Sequence, residues 1–359
     1  MFSGDIAKRI GDHVVMNLST KEPFDTLVGV DIGGTKVDVL VTDSELSPLA
    51  EVRSKVKSNS PEDFVSSIRL AVSEALNKAG TSIPQVRGIG IGIPGQVVPE
   101  EGTVRNAVNL ELSEFPLARI LSDQFDSLPI FLEKDVHNAA VDAFLRVNEN
   151  NHIENLAFVN IGTGISAGLV LNGRLYRGEH GMAGEIGHSV FLPDGPHCSC
   201  GNFGCLEALA AGPAIERLGR EAVESGKSTR IDVATSQGVF SAAAQGDEVA
   251  GNILQKVGGY LGQALQNLVM AYDVGKIVLG GGVSREGKRL LEPILQEWSR
   301  MAEASTLAAS LLLPEIIEVV PADHKPGVWG AIFVAQKRLG SYDHIKSGNV
   351  TKRLANLKL

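Results

Sequence analysis

The chain reads as an α/β protein of two domains, and three observations predict it. Short apolar runs of strand type alternate with stretches of helical periodicity. Two segments, VDIGGTKVDVLV and VNIGTGISAGLV, share a strand–glycine turn–strand layout, as a duplicated fold with one phosphate-facing hairpin per domain requires. At 359 residues, with 43% hydrophobic and 21% charged residues, the chain is long enough for two separate cores. An ordinary coincidence of two short segments is the competing account of the second observation.

Residues 1–24 are polar and read as an extension with at most one short helix. From Thr26, TLVGVDIGGTKVDVLVTD predicts two strands around a tight Gly-Gly turn. Ser60 and Pro61 open a helix with Glu62 and Asp63 in its first turn. Its apolar positions Val65, Ile68, Val72 and Leu76 recur at helical spacing, and Gly80 stands where a left-handed cap belongs. VRGIGIGIPG predicts a buried strand ending in a Pro-Gly turn, and LPIFL a further apolar run leading into a helix-like stretch. A second strand pair begins near Leu156 and closes on an Asn172-Gly173 hairpin signal. Ala208 to Met270 reads largely helical, KIVLGGGVS gives another strand, and GVWGAIFVAQKRL closes the folded part as a helix. The last sixteen residues carry Lys346, Lys352, Arg353 and Lys358 without an acidic residue and read as a solvated tail. The expected division is 1–24 as extension, 25–138 plus about 328–343 as a smaller domain, 139–327 as a larger one, and 344–359 as tail.

A net charge of −9 argues against a nucleic-acid binder, which usually presents a basic surface. The N-terminus lacks the apolar core of a signal peptide, and no run reaches the length of a membrane span. Three cysteines bunched within eight residues do not make a secreted disulfide framework. A cytoplasmic enzyme without a membrane or nucleic-acid partner is the expectation.

Several motifs carry chemistry. In DIGGTK, Gly33 and Gly34 let the backbone approach phosphate oxygens, Thr35 and Lys36 add a hydroxyl and a charge, and Asp31 is placed to hold magnesium through water. The segment lacks the Walker pattern, and a plain hairpin turn is the alternative. Gly162, Thr163 and Gly164 repeat the pattern, and Gly280, Gly281 and Gly282 follow a strand where the flat face of a base or ribose fits. In LEKDVHNAA, Asp135 is either a helix cap, which spacing favours, or a carboxylate facing a cleft and able to take a substrate proton. His188, Cys198, Cys200 and Cys205 form a one-His, three-Cys set suited to structural zinc, with His197 competing for the histidine place. A redox thiol pair, an inert coincidence and a partner-binding knuckle are the other readings. Glu185 and Glu207 flank the cluster.

Taken together, these residues resemble the ROK family of bacterial sugar kinases, kinases of N-acylated amino sugars and sugar-responsive repressors, from about Thr26 to about Gly340. GMAGEIGH followed by CSCGNFGCLEA carries the most specific part, and it selects His188 over His197. The resemblance implies an actin-like, duplicated ribonuclease-H type fold with a central cleft between two domains, and transfer of phosphate from ATP to a hexose or N-acetylhexosamine, usually at the 6-hydroxyl. It implies Asp135 as catalytic base, and Asn109, Glu185, His188 and Glu207 as sugar ligands, with His188 also bound to structural Zn2+. DIGGTK and the GTG turn would embrace the phosphates of ATP and Mg2+. Family members are often homodimers or homotetramers.

One departure matters. The family usually has asparagine directly before the catalytic aspartate; here Lys134 stands there, and His137-Asn138 replaces asparagine-alanine. Lys134 either pairs with Glu133 and points away, or faces the cleft, where it alters sugar preference and lowers the pKa of Asp135. The alternative function is a sugar sensor of the same family without phosphorylation. Its regulators carry a winged helix-turn-helix before the first strand, for which the 25 or so preceding residues are too few, so the expectation favours the kinase.

Overall fold

The computed structural model describes residues 26–57, 60–340 and 357–359. The expected N-terminal extension, and all of the tail before residue 357, lie outside them.

The first half runs β1 (Thr26–Ile32), β2 (Lys36–Asp43), β3 (Pro48–Lys55), α1 (Pro61–Ala79), β4 (Val86–Ile93), β5 (Gln96–Val98), β6 (Thr103–Ala107), β7 (Leu112–Phe115), α2 (Leu117–Gln124), β8 (Ile130–Lys134) and α3 (Asp135–Val147). The second half runs β9 (Leu156–Ile161), β10 (Ile165–Leu171), β11 (Arg174–Tyr176), α4 (Leu206–Ala210), α5 (Gly212–Glu224), α6 (Ser236–Ala244), α7 (Glu248–Tyr272), β12 (Lys276–Gly280), α8 (Lys288–Ala304), α9 (Thr306–Leu311), β13 (Ile317–Val319) and α10 (Pro326–Gly340).

The duplication suggested by the two glycine-turn segments is present in the sheets. One sheet has the order β3-β2-β1-β4-β8 and the other β11-β10-β9-β12-β13. In each, the first hairpin is antiparallel and its inner strand pairs parallel with the strand that follows it in the order. A small antiparallel sheet, β5-β6-β7, is inserted in the first half only.

Local chemistry accounts for the elements. The Ser60 hydroxyl accepts the Asp63 amide at the start of α1, Pro61 sits in the first turn, and Gly80 closes the helix at φ 66. β1 and β4 are buried almost throughout, as parallel strands covered on both faces must be. Strand glycines in both sheets admit helices: a Cβ on Gly90 of β4 would lie 1.9 Å from the Ala331 carbonyl of α10, and one on Gly168 of β10 would lie 2.4 Å from the Val136 carbonyl of α3. So α10 lies against the first sheet and α3 against the second, and the two helices pack on each other between the sheets.

The expectation of a wholly solvated tail is corrected at its end. Leu357 is completely buried among Phe144, Leu156, Val170, Leu175 and Phe333. Lys358 donates its amide to Gly173 and accepts that of Leu175, extending the edge beside β11. An unpaired sheet edge and an apolar recess outweigh the solvation of a basic segment.

Candidate active site

A cavity of about 340 Å³ opens between the sheets. Asp31, Lys36, Asp38 and Arg53 line it from β1–β3, Asp135 from α3, Gly280–Gly282 from the end of β12, and His324 and Lys325 from the segment before α10.

Asp31 is the last polar residue of β1. A Cβ on Gly327 would sit 2.3 Å from its Oδ2, so only glycine leaves room for the carboxylate. Burial, reinforced by the nearby Asp135 and Asp38 charges, pushes its pKa up to about 7 against the pull of Arg53 and Lys325. Asp135 is the first residue of α3, and Lys134, not Asp135, is the capping position. Its Oδ1 accepts the adjacent Val136 amide at 2.7 Å. Asp31 and Asp135 flank the same spot beside Gly92. Burial raises the Asp135 pKa; the Val136 amide and the Lys134 and His137 charges oppose that rise without cancelling it. The Lys134 charge pulls the value down, yet desolvation prevails.

Both placements of Lys134 can be judged from its neighbours. Glu133 is fully buried, and its carboxylate takes Arg177 at 2.5 and 2.9 Å, His137 Nδ1 at 2.9 Å and the Lys134 amide at 3.1 Å. Although burial opposes it, the bonds and charges of His137 and Arg177 bring Glu133 down to about 2. The Lys134 ammonium is bonded instead to Glu185 Oε1. The lysine therefore points at Glu185 and only its backbone meets Glu133.

The other Glu185 oxygen lies 3.7 Å from His188 Nε2. The opposite ring nitrogen, Nδ1, lies 3.6 Å from Cys198 Sγ, and Cys200 and Cys205 Sγ are 3.7 Å apart. One ligand atom from each of His188, Cys198, Cys200 and Cys205 falls within 4.8 Å of the others. A zinc tetrahedron with Zn–S of ~2.3 Å and Zn–N of ~2.0 Å has edges of roughly 3.5–3.8 Å, so the donor set and its spacing fit that ion. Burial and the adjacent sulfurs push the Cys205 thiol up to about 12, as for a thiol that needs a metal to ionise it. His197 stands outside the group, its ring edge-on to Phe203.

The remaining sequence-predicted residues are distributed unequally. Gly33, Gly34, Thr35 and Lys36 form an exposed turn closed by the Gly33 amide on the Lys36 carbonyl, and Lys36 lines the cavity. In the matching turn, the Gly162 amide meets the Gly164 carbonyl, and the Gly162 carbonyl accepts the first amide of α5; Thr163 is exposed. Glu207 accepts the Ile165 amide at 3.0 Å and sits against Gly164. Asn109 is exposed on a single 3-10 turn, Val108–Leu110, and does not line the cavity.

Sequence reading missed a charged set on the cavity wall. Arg53 holds Asp38 at 2.8 and 2.9 Å, Lys325 reaches the same carboxylate at 2.8 Å and also bonds Glu51, and His324 pairs with the buried Asp142 at 2.7 Å. The β2–β3 register, which places Arg53 opposite Asp38, was the one available signal.

A model of the ROK family matches residues 27–338. A glucokinase of Halalkalibacterium halodurans is 35% identical over 285 residues, covering 77% of this chain and 86% of that protein. A xylose repressor of Caldicellulosiruptor bescii is 28% identical over 77% of this chain and 71% of its own length. The crystal structure of a ROK family glucokinase from Streptomyces griseus, in complex with glucose and AMPPNP, aligns with a TM-score of 0.72 at 29% identity, covering 87% of this chain and 99% of that one.

Proposed function

The chain belongs to the ROK family, and from that premise we propose that it transfers the γ-phosphoryl group of ATP to a hydroxyl of a hexose or N-acetylhexosamine, the 6-hydroxyl by the family's pattern. The observation that carries this reading is the pairing of two carboxylates, Asp31 and Asp135, at the floor of a cleft walled by basic side chains. Asp135 takes the proton of the acceptor hydroxyl as its oxygen attacks the γ-phosphorus, and ADP leaves. Lys36, Arg53 and Lys325 offset phosphate charge, while the two glycine turns and Gly280–Gly282 leave space for backbone approach to the nucleotide. Mg2+, when bound with ATP, neutralises developing charge on the transferred group. Asp31 would hold it, and Zn2+ would be held by His188 and the three cysteines. By the family's pattern Asn109, Glu185, His188 and Glu207 are assigned to the sugar; none of the four lines the 340 Å³ cavity, so the sugar would sit beside it. The packing of α10 on the first sheet and α3 on the second supports a domain boundary inside the first turn of α3 and a return at about residue 328. Among the described residues no helix is long and apolar enough to cross a membrane.

A second reading, sugar sensing without turnover, is favoured by one observation, the occupation of Glu185 by Lys134. ADP release measured with Mg·ATP across a panel of neutral, N-acylated and amino hexoses separates the two. Turnover with at least one sugar is expected; tight sugar binding by calorimetry without turnover on any of them would favour the sensor.

The raised pKa of Asp31 adds a pH dependence. Below about pH 7 this carboxyl keeps its proton, which a divalent cation must displace. The affinity for Mg·ATP should therefore rise as pH increases from 6 through 7 to 8. Calorimetric titration of wild type at those pH values checks it, and Asp31→Asn should flatten the trend.

A further inference from the structure

We propose that Lys134 sets acceptor specificity, admitting an uncharged hexose and rejecting a sugar that carries a free ammonium group. The inference rests on the kinase-family reading of the acceptor site, and its own basis is the ion-pair arrangement around α3.

Lys134 ends β8 and immediately precedes Asp135, so its side chain leaves the backbone next to the proposed base. That side chain is only 4% exposed. Two cations, the His137 ring and two carboxylates meet here, and they are partitioned. Arg177 and His137 share Glu133, which leaves Lys134 to Glu185 alone among the described residues. An ammonium has three donors and no acceptor. One donor meets Glu185 Oε1, so two remain for oxygens of a bound sugar, at a point where an asparagine would both donate and accept.

The consequence is selective. A hydroxyl beside Lys134 and Glu185 accepts from the first and donates to the second, and a carbonyl oxygen accepts from the first. A sugar ammonium can only donate; Lys134 repels it in a low-dielectric setting, and the carboxylate that would attract it is already neutralised. Lys134 also holds the carboxylate, so it acts on binding more than on the chemical step.

Glucose and glucosamine differ by this charge and serve as probes at about pH 6.5, below the usual range of amino groups. Wild type should bind glucose at least tenfold more tightly than glucosamine by calorimetry, with the same preference in kcat/KM. Lys134→Asn should reduce that ratio at least tenfold, about 1.4 kcal/mol, mainly through KM and Kd, while Lys134→Arg should keep it. Equal binding of the two sugars by wild type, or an unchanged ratio in a folded Lys134→Asn protein, overturns the proposal. If Lys134→Asn fails to fold by thermal melting, Lys134→Gln and the wild-type ratio decide. Turnover with an unchanged ratio leaves the kinase reading standing and this one fallen. Binding that shifts as expected without turnover does the reverse.

Discussion

Asp135→Asn should bind sugar within about twofold of wild type and lose about three orders of magnitude in kcat, the scale of a lost general base. Amide and carboxyl have nearly the same shape, so the Val136 amide at 2.7 Å keeps an oxygen to bond and α3 starts where it did. What disappears is the ability to accept the proton of the attacking hydroxyl. Sugar affinity by calorimetry and kcat by coupled assay are the two readouts, and a kcat within tenfold of wild type removes Asp135 from the role of base. The pH profile gives an independent check. Burial holds the Asp135 pKa above the ordinary carboxylate range, and the base works only when ionised. Wild-type kcat/KM should therefore fall as pH drops through that raised value. In the Asn variant the limb due to Asp135 should vanish, leaving any contribution of Asp31 to nucleotide binding.

The parts of this molecule that were readable from the chain are those specified by near neighbours. The caps of α1 lie within the helix's own span, Ser60 to Gly80, and both are occupied as their chemistry predicts. The two glycine turns mark equivalent hairpins because a strand–turn–strand unit is local. The cysteine cluster was readable for the same reason, since C-x-C-x4-C and the histidine lie within eighteen residues. Partnerships across the fold were not. Lys134 and Glu185 are 51 positions apart, and whether the lysine turned to Glu133 or to Glu185 depended on Arg177, which claims Glu133 from a strand-end loop after β11. Lys325 reaches Asp38 across 287 positions, and no periodicity carries that information. Leu357 was hidden by its basic surroundings, because a net-charge reading of a terminus does not register one apolar residue with a recess to fill.

Taking a ligand out of the cysteine cluster should give the second large effect, and it tests whether the cluster holds zinc and what that zinc is for. Cys198 and Cys205 are buried and Cys200 is exposed, so Cys198→Ser takes away a ligand inside the loop while leaving the outer surface unchanged. The protein should lose its bound zinc by elemental analysis, melt at a lower temperature, and bind sugar at least tenfold more weakly. Mg·ATP affinity should stay within about twofold, since the residues assigned to it lie on other elements. The reason is the two-sided placement of His188: Nδ1 faces Cys198 while Nε2 faces Glu185, so an ion that fixed one side of the ring would aim the other. Glu185 then has His188 and Lys134 as its two constraints, and losing the first leaves it held from one side only. A chelator should reproduce the loss in wild type, and added zinc should reverse it there but not in Cys198→Ser. If the cluster were instead a partner-binding knuckle, the zinc and the melting temperature would fall with sugar affinity unchanged. The selective loss of sugar over nucleotide binding is the outcome that ties the metal to the acceptor pocket, because simple unfolding of the loop's domain would weaken both.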